Sequence, residues 1–171
     1  AFLRLYREDK TYHLLIVGEG PEKKLLDQVR RRSNLNGAIT LLGGVPHHQV
    51  PSIIQNMDVA VAPYPKLENF YFSPLKLFEY MAVGKPVVAS NSGQIKQIIK
   101  HRQDGLLFRP GDINSLIQQI KILRNNPPLR KILGERAARK ILKSFVWEKN
   151  AQKVLNLVEK LAQKKVLIKN S

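Results

Sequence analysis

Apolar positions in this chain fall into short unbroken runs, separated by stretches with helical spacing. His13 to Val17 (HLLIV) is one such run, closed by Gly18-Glu19-Gly20-Pro21, and reads as a strand followed by a turn. Residues 21–33 carry Leu25, Leu26 and Val29 on one helical face. Asn34 to Gly37 is a turn, Ile39 to Leu42 a strand ended by Gly43-Gly44, and 47–56 a short helix with Val50, Ile53 and Ile54. Asp58 to Ala62 (DVAVA) is a third strand, and 63–72 is a loop with two prolines. A helix from Ser73, a strand over 86–89, a short helix over 95–101 and a strand over 105–108 follow, the last ended by a Pro110-Gly111 turn. Asp112 caps a helix bearing Leu116, Ile117, Ile120 and Leu123, and Pro127-Pro128 breaks it. Two more helices cover 129–144 and 147–165, the second with Ala151, Val154, Leu155, Val158 and Leu161 at helical spacing.

Strands that alternate with helices indicate βαβ units and a parallel sheet. The strands are near-continuous apolar runs rather than alternating, as strands covered on both faces should be. The expected class is therefore α/β: a Rossmann-like parallel sheet with helices on both faces and C-terminal helices appended, the whole of 1–171 forming one domain. In such sheets a ligand lies at the carboxyl ends of the strands, near helix N-termini. Those ends are Gly18-Glu19-Gly20, Gly43-Gly44-Val45, the 63–72 loop leading into Ser73, and Ser90-Asn91-Ser92-Gly93. Gly18-Glu19-Gly20 is too short for a dinucleotide fingerprint, and a lone GxG is more often a tight turn.

Within this pattern, residues 71–90 (YFSPLKLFEYMAVGKPVVAS) carry the most chemistry. Ser73 is placed to cap a helix, Pro74 to take its first position, and Gly84 to end it in a left-handed turn. Leu75, Leu77, Phe78, Tyr80, Met81, Ala82 and Val83 make this helix apolar almost all round, so burial is expected. Lys76 and Glu79 are three residues apart and share a face. A buried charge needs a partner, and the simplest is a polar ligand at the helix N-terminus; the competing reading is an ion pair between the two.

Composition bounds the class. The 171 residues, 43% hydrophobic and 25% charged, suit a globular domain with its own core. No apolar run reaches the length of a membrane span. With no Cys there is no disulfide, thiol nucleophile or thiolate metal site, which fits a reducing, cytoplasmic compartment. His47 and His48 start a helix rather than ligate metal, and no metal or other cofactor is expected. The net charge of +16 is spread along the chain, with Arg30-Arg31-Arg32 as its one triplet. No nucleic-acid motif accompanies it, so nucleic acid is not an expected partner; peripheral contact with an anionic membrane suits it better. The opening AFLRLYREDK has neither Met nor a signal pattern and is read as a cut from a longer protein.

The blocks LLIVGEGPEKKLL, ITLLGGV, IIQNMDVAVAPY, SPLKLFEYMAVGKPVVAS and DGLLFRPGDINSL stand in a specific order and spacing, with Phe145-Val146-Trp147 where the last helix begins. Across residues 13–125 the chain resembles the C-terminal half of the family 4 ("group 1") glycosyltransferases, which have the GT-B fold. The resemblance implies a donor-binding domain. The parent would move a sugar from a nucleotide diphosphate-sugar to an acceptor, with retention and without an essential metal, the acceptor being held by an N-terminal half. The family's pair of glutamates is separated by seven residues. The second matches Glu79, which by resemblance accepts hydrogen bonds from the donor ribose, a role for which two carboxylate oxygens are suited. The first falls at Tyr71, which brings no negative charge and puts the sugar's identity in doubt; the competing reading of Tyr71 is a core aromatic beside Phe70 and Phe72. Pro74 stands where the family has Gly, leaving the N–H groups of Leu75 and Lys76 and the helix dipole to meet a diphosphate. Lys76 is expected to bind or neutralise that diphosphate.

The resemblance thus gives Tyr71, Lys76 and Glu79 as catalytic candidates, and Gly18, Gly43, Gly44, Val45, Ser73, Leu75, Lys76 and Glu79 as donor-binding ones. The Gly43-Gly44-Val45 backbone would read the base. The family's earlier strand, whose loop supplies cations to the leaving diphosphate, is missing at the start of this chain. The isolated chain is therefore expected to be inactive. The alternatives are a non-catalytic nucleotide- or sugar-binding module and a basic membrane-docking domain.

Overall fold

Aliphatic runs become strands and amphipathic stretches become helices in the order expected. The computed structural model describes residues 1–66 and 73–169, with side chains through residue 161. The elements are α1 (Phe2–Glu8), β1 (Leu14–Val17), α2 (Lys23–Arg32), β2 (Ile39–Gly43), a 3-10 turn (His47–Gln49) running into α3 (Val50–Gln55), β3 (Ala60–Ala62), α4 (Leu75–Ala82), β4 (Val87–Ser90), α5 (Ile95–Ile98), β5 (Leu106–Phe108), α6 (Ile113–Arg124), α7 (Pro127–Ser144) and α8 (Trp147–Lys169). Pro127 and Pro128 do more than end α6. They open α7, where a missing N–H costs nothing, and Asn126 caps it by accepting from Leu129 N–H at 3.0 Å. Asp112 caps α6 as expected, accepting from Ser115 N–H at 2.8 Å.

Every strand pairing is parallel, but the pairings form two ladders rather than one continuous sheet. β1 pairs with β2, and β4 lies between β3 and β5. Among the described residues β1, β2, β3 and β5 each keep one edge without a strand partner. Neighbouring residues of β4 point to opposite faces, which divides the core. Val87 and Ala89 join Ala60, Ala62, Leu77, Met81, Ile95, Ala137 and Ile141 on one face, while Val88 joins Leu106, Phe108, Leu123 and Leu133 on the other. Burying a side chain such as Leu77 or Met81 stabilises by about 1.5–3 kcal/mol. The β1–β2 ladder has a smaller core of Leu35, Ala38 and Ile39, backed by Phe2 and Tyr6 of α1. The α2 stripe is periodic but uncovered among the described residues, with Leu25 54% exposed.

α4 corrects the expectation of burial all round. Leu77 and Met81 are buried against α7, β3 and β4, but Leu75 is 69% exposed, because those elements cover only one side. Its C-terminus is as expected. Gly84 at φ +79 closes a paired turn in which its N–H donates to Met81 O at 3.0 Å and Lys85 N–H donates to Tyr80 O at 3.0 Å. The buried acid Asp104 is satisfied by Lys140 Nζ at 2.6 Å and Lys100 N–H at 2.7 Å, tying the turn before β5 to α7.

Candidate functional site

The carboxyl ends of all five strands are joined by a succession of polar contacts along one rim. After β1, Glu19 Oε1 accepts from Lys23 Nζ at 2.6 Å and from Gly44 N–H at 3.1 Å, while Gly18 N–H donates to Gly43 O at 2.7 Å. After β2, the 3-10 turn brings His47 Nε2 to 3.5 Å from Glu79 Oε1 on α4. One turn earlier on α4, the Lys76 ammonium lies 4.8 Å from the centre of the Tyr64 ring, in the loop after β3. Tyr64 O in turn accepts from the hydroxyl of Ser90, the last residue of β4, at 2.7 Å. Asn91 N–H donates to Phe108 O, at the end of β5, at 2.8 Å. The buried Ser92 Oγ beside it has no hydrogen-bond partner among the described residues.

Glu79 is half-exposed, with 40% of its side chain open to solvent, and its face-mate Lys76 does not pair with it. The ammonium instead uses the negative face of Tyr64, whose hydroxyl pKa burial pushes up. Both charges of α4 therefore point to the rim, each held by a different loop. Glu19 is held ionised, first by the Lys23 ammonium and then by the Gly44 N–H, and its carboxyl titrates below the usual range. The pKa of the half-buried Tyr80 hydroxyl is raised, first by burial and then by the Glu79 charge. Among the described residues no group of three His, Asp or Glu side chains converges as a metal site would.

The start of α4 differs from expectation. Ser73 makes no side-chain cap, and Pro74 flanks the helix instead of occupying its first position. The physical reason is a three-residue turn. Pro74 at φ −80, ψ 70 is the centre of an inverse γ-turn in which Leu75 N–H donates to Ser73 O at 3.0 Å. That ψ is incompatible with a helix, and the bond commits an N–H that was expected to remain open to a ligand. The Gly44 N–H is likewise committed, to Glu19. Tyr71, with Glu68, Phe70 and Phe72, lies outside the described residues.

Against known proteins, the family model described as "Glycosyl transferases group 1" matches residues 1–140. This chain belongs to the group 1 glycosyltransferases. An uncharacterized glycosyltransferase of Methanocaldococcus jannaschii is 31% identical over 155 residues, covering 91% of this chain and 42% of that protein. A Staphylococcus aureus TarM mutant, solved with fondaparinux, alpha-GlcNAc-glycerol and UDP, has a TM-score of 0.78 at 24% identity, covering 90% of this chain and 30% of that one. Anabaena HepE with UDP-glucose has a TM-score of 0.71 at 22% identity, covering 86% and 41%. The last two show a common fold, and this chain spans less than half of each of the three. The glycosyltransferase fold places the rim where its α/β class predicts, at the strand carboxyl ends.

Sequence reasoning missed two members of the rim. His47 was assigned to a helix start, which it is, but the same turn also aims its ring at Glu79. Tyr64 ends the block IIQNMDVAVAPY, but neither that block nor its proline-containing loop assigns the ring a role. Both contacts join distant stretches of chain, and neither periodicity nor spacing reports such proximity.

Proposed function

We propose that this chain is the donor-binding half of a glycosyltransferase that takes a sugar from a nucleotide diphosphate-sugar and transfers it, with retention, to an acceptor held by another part of the protein. The observation that carries the reading is the continuous polar rim over the five strand ends, with a half-exposed carboxylate and an ammonium side by side on α4. Glu79 presents two oxygens to the ribose diol, and Lys76 meets the diphosphate from its seat on Tyr64. The nucleotide and nucleotide-sugar held by TarM and HepE support this ligand class. Because the N–H groups of Leu75 and Gly44 are already engaged, charged side chains have a larger share of anion binding here than backbone donors. Ser73, before α4, and Val45, in the loop after β2, are proposed as further donor contacts, and Tyr71 is proposed to meet the sugar.

Transfer needs more than this chain. The free edges of β1 and β3, two of the four that the ladders leave, have room for a further strand of the parent, whose loop is proposed to supply charge to the leaving diphosphate. The isolated chain would then bind donor without turning it over. Calorimetry with UDP, GDP and ADP tests the binding reading. At least one should bind, and Glu79→Ala should weaken it by about ten- to a hundredfold, the worth of a charged hydrogen-bond acceptor. Absence of binding by any of the three would overturn it.

A second reading, peripheral contact with an anionic membrane, draws on α8. Val154, Leu155, Leu157, Val158 and Leu161 are each more than half exposed along it, and Lys149, Lys153 and Lys160 lie on its polar flank. No described helix is long and apolar enough to cross a membrane. Co-sedimentation with phosphatidylserine vesicles, lost in high salt and absent with phosphatidylcholine, would support this reading. Failure to sediment would assign the apolar face to a protein contact.

A further inference from the structure

The two glycine loops at the ends of β1 and β2 are not independent turns. The ladder register slips between Ile16 and Val17, which sets Val17 opposite Gly43, and Gly18 N–H then closes on Gly43 O at 2.7 Å. This places Glu19 across from the next loop, where Oε1 takes the Gly44 N–H at 3.1 Å while Lys23 balances its charge at 2.6 Å. The fit is close. Gly43 has φ +78, and a Cβ there would fall 2.8 Å from Glu19 Oε1; one on Gly44 would fall 3.3 Å from Glu19 Cγ. Three residues further on, His47 Nε2 lies 3.5 Å from Glu79 Oε1 with its ring largely exposed, so the firm anchor of this turn is the Glu19 carboxylate.

We infer that Glu19 is a positioning residue for the nucleobase: its carboxylate fixes the Gly43-Gly44 turn so that the backbone beyond it meets one base edge in a set orientation. This rests on the proposed nucleotide site. A backbone reader discriminates between bases only if its donors and acceptors are held still before the ligand arrives. Glycine is needed here for close approach and positive φ, and it is also the residue with the most freedom to lose. A turn of two glycines supplies no rigidity of its own, so the rigidity has to come from outside. Glu19 supplies it through one charge-assisted bond, and Lys23 keeps that carboxylate ionised and aimed. Both side chains are about half exposed (58% for Glu19, 46% for Lys23), so the pair contributes little to global stability and its effect is on local geometry.

The test compares wild type, Glu19→Ala and Glu19→Gln, the last of which keeps an acceptor for the Gly44 N–H. Two measurements are needed: the amide exchange rate of Gly44 by NMR without ligand, and calorimetric affinities for UDP, GDP and ADP. The alanine variant should speed Gly44 exchange. It should also weaken the preferred nucleotide by roughly five- to tenfold, with a narrower spread among the three bases, while glutamine stays near wild type. Simple loss of stability would lower all three affinities together and leave their ratio unchanged. Faster exchange with an unchanged base preference overturns the inference and leaves the nucleotide site standing. Unchanged exchange in the alanine variant overturns it as well. A wild type whose Gly44 responds as expected but which binds no nucleotide overturns the site itself and the inference with it.

Discussion

A glycine in the middle of a helix is ordinarily a defect, and replacing it by alanine stabilises by about 0.5–1 kcal/mol. Gly134, within α7, should behave in the opposite way. A Cβ there would lie 2.0 Å from Gly84 O, 3.0 Å from Gly84 C and 3.5 Å from Pro86 N. An ordinary carbon–oxygen contact needs about 3.3 Å, so the two backbones would have to part by roughly 1.3 Å. Every obstructing atom is main chain, in the turn that ends α4, so no side-chain rotation relieves the clash. Separating α7 from α4 loosens Leu77, Met81, Ala137 and Ile141, which share one core. Overpacking of this kind costs about 1–3 kcal/mol or more. Taking about 3 kcal/mol and allowing about 1 kcal/mol of helix propensity in alanine's favour leaves a net loss near 2 kcal/mol. For a chain of this size that lowers Tm by about 4–8 °C.

The assay is urea and thermal unfolding of Gly134→Ala followed by circular dichroism, with Gly111→Ala as a control. Gly111, unlike Gly134, has positive φ (+78) and nothing within 4 Å of its Cβ position, so its substitution carries only the left-handed backbone cost of about 1–2 kcal/mol. The loss at Gly134 should reach at least the upper end of the Gly111 range, although its helical conformation is the one alanine prefers. A Gly134→Ala variant as stable as wild type would refute the close approach of α4 and α7. Since Glu79 rides on α4, the same variant should also lose nucleotide affinity.

Other outcomes follow from the site and its surroundings. Lys76→Ala should weaken nucleoside diphosphates by about tenfold while leaving the free nucleoside nearly unaffected, since the proposed site sets the ammonium against the phosphates alone; equal affinity for wild type and variant would sink the assignment. His101 Nδ1 accepts from Leu107 N–H at 2.9 Å, and burial first, then the Arg102 charge, holds its pKa below the ordinary imidazole range. The unfolded chain therefore binds this proton more readily than the folded one, so the stability His101 contributes is present above about pH 6.5 and is lost as pH falls toward the lower folded value. His101→Gln should flatten that part of the pH–stability curve, and an unaltered curve would rule the linkage out.

The strands were legible because a buried parallel strand needs a near-continuous apolar run, here bounded by glycine, proline or polar turn residues. HLLIV, ITLL, DVAVA, PVVA and the run ending at Phe108 all became strands, shifted by a residue or two. The Gly84 stop was legible for a similar reason, since a helix followed by glycine has few other uses for it. The start of α4 was not. Ser-Pro before a helix reads as cap and first position, yet the inverse γ-turn at Pro74 satisfies the same backbone groups in another way, and composition does not separate the two. The division into two ladders was equally invisible, because strand order depends on which edges meet in space.

A charge on an apolar helix reads as buried and in need of a partner, but the Glu79 side chain is 40% exposed and its Oε1 lies 3.5 Å from His47 Nε2. This strengthens the case for a ligand. A fully buried, paired carboxylate would have to break its pair and pay desolvation before meeting a diol. A half-exposed one, oriented by a single long contact, keeps lone pairs available and loses little when the ligand replaces water. The same reasoning separates Glu79 from Glu19. Glu19 carries an ammonium at 2.6 Å and a backbone N–H at 3.1 Å on one oxygen, so it has less acceptor capacity to offer a diol than the carboxylate proposed for the ribose.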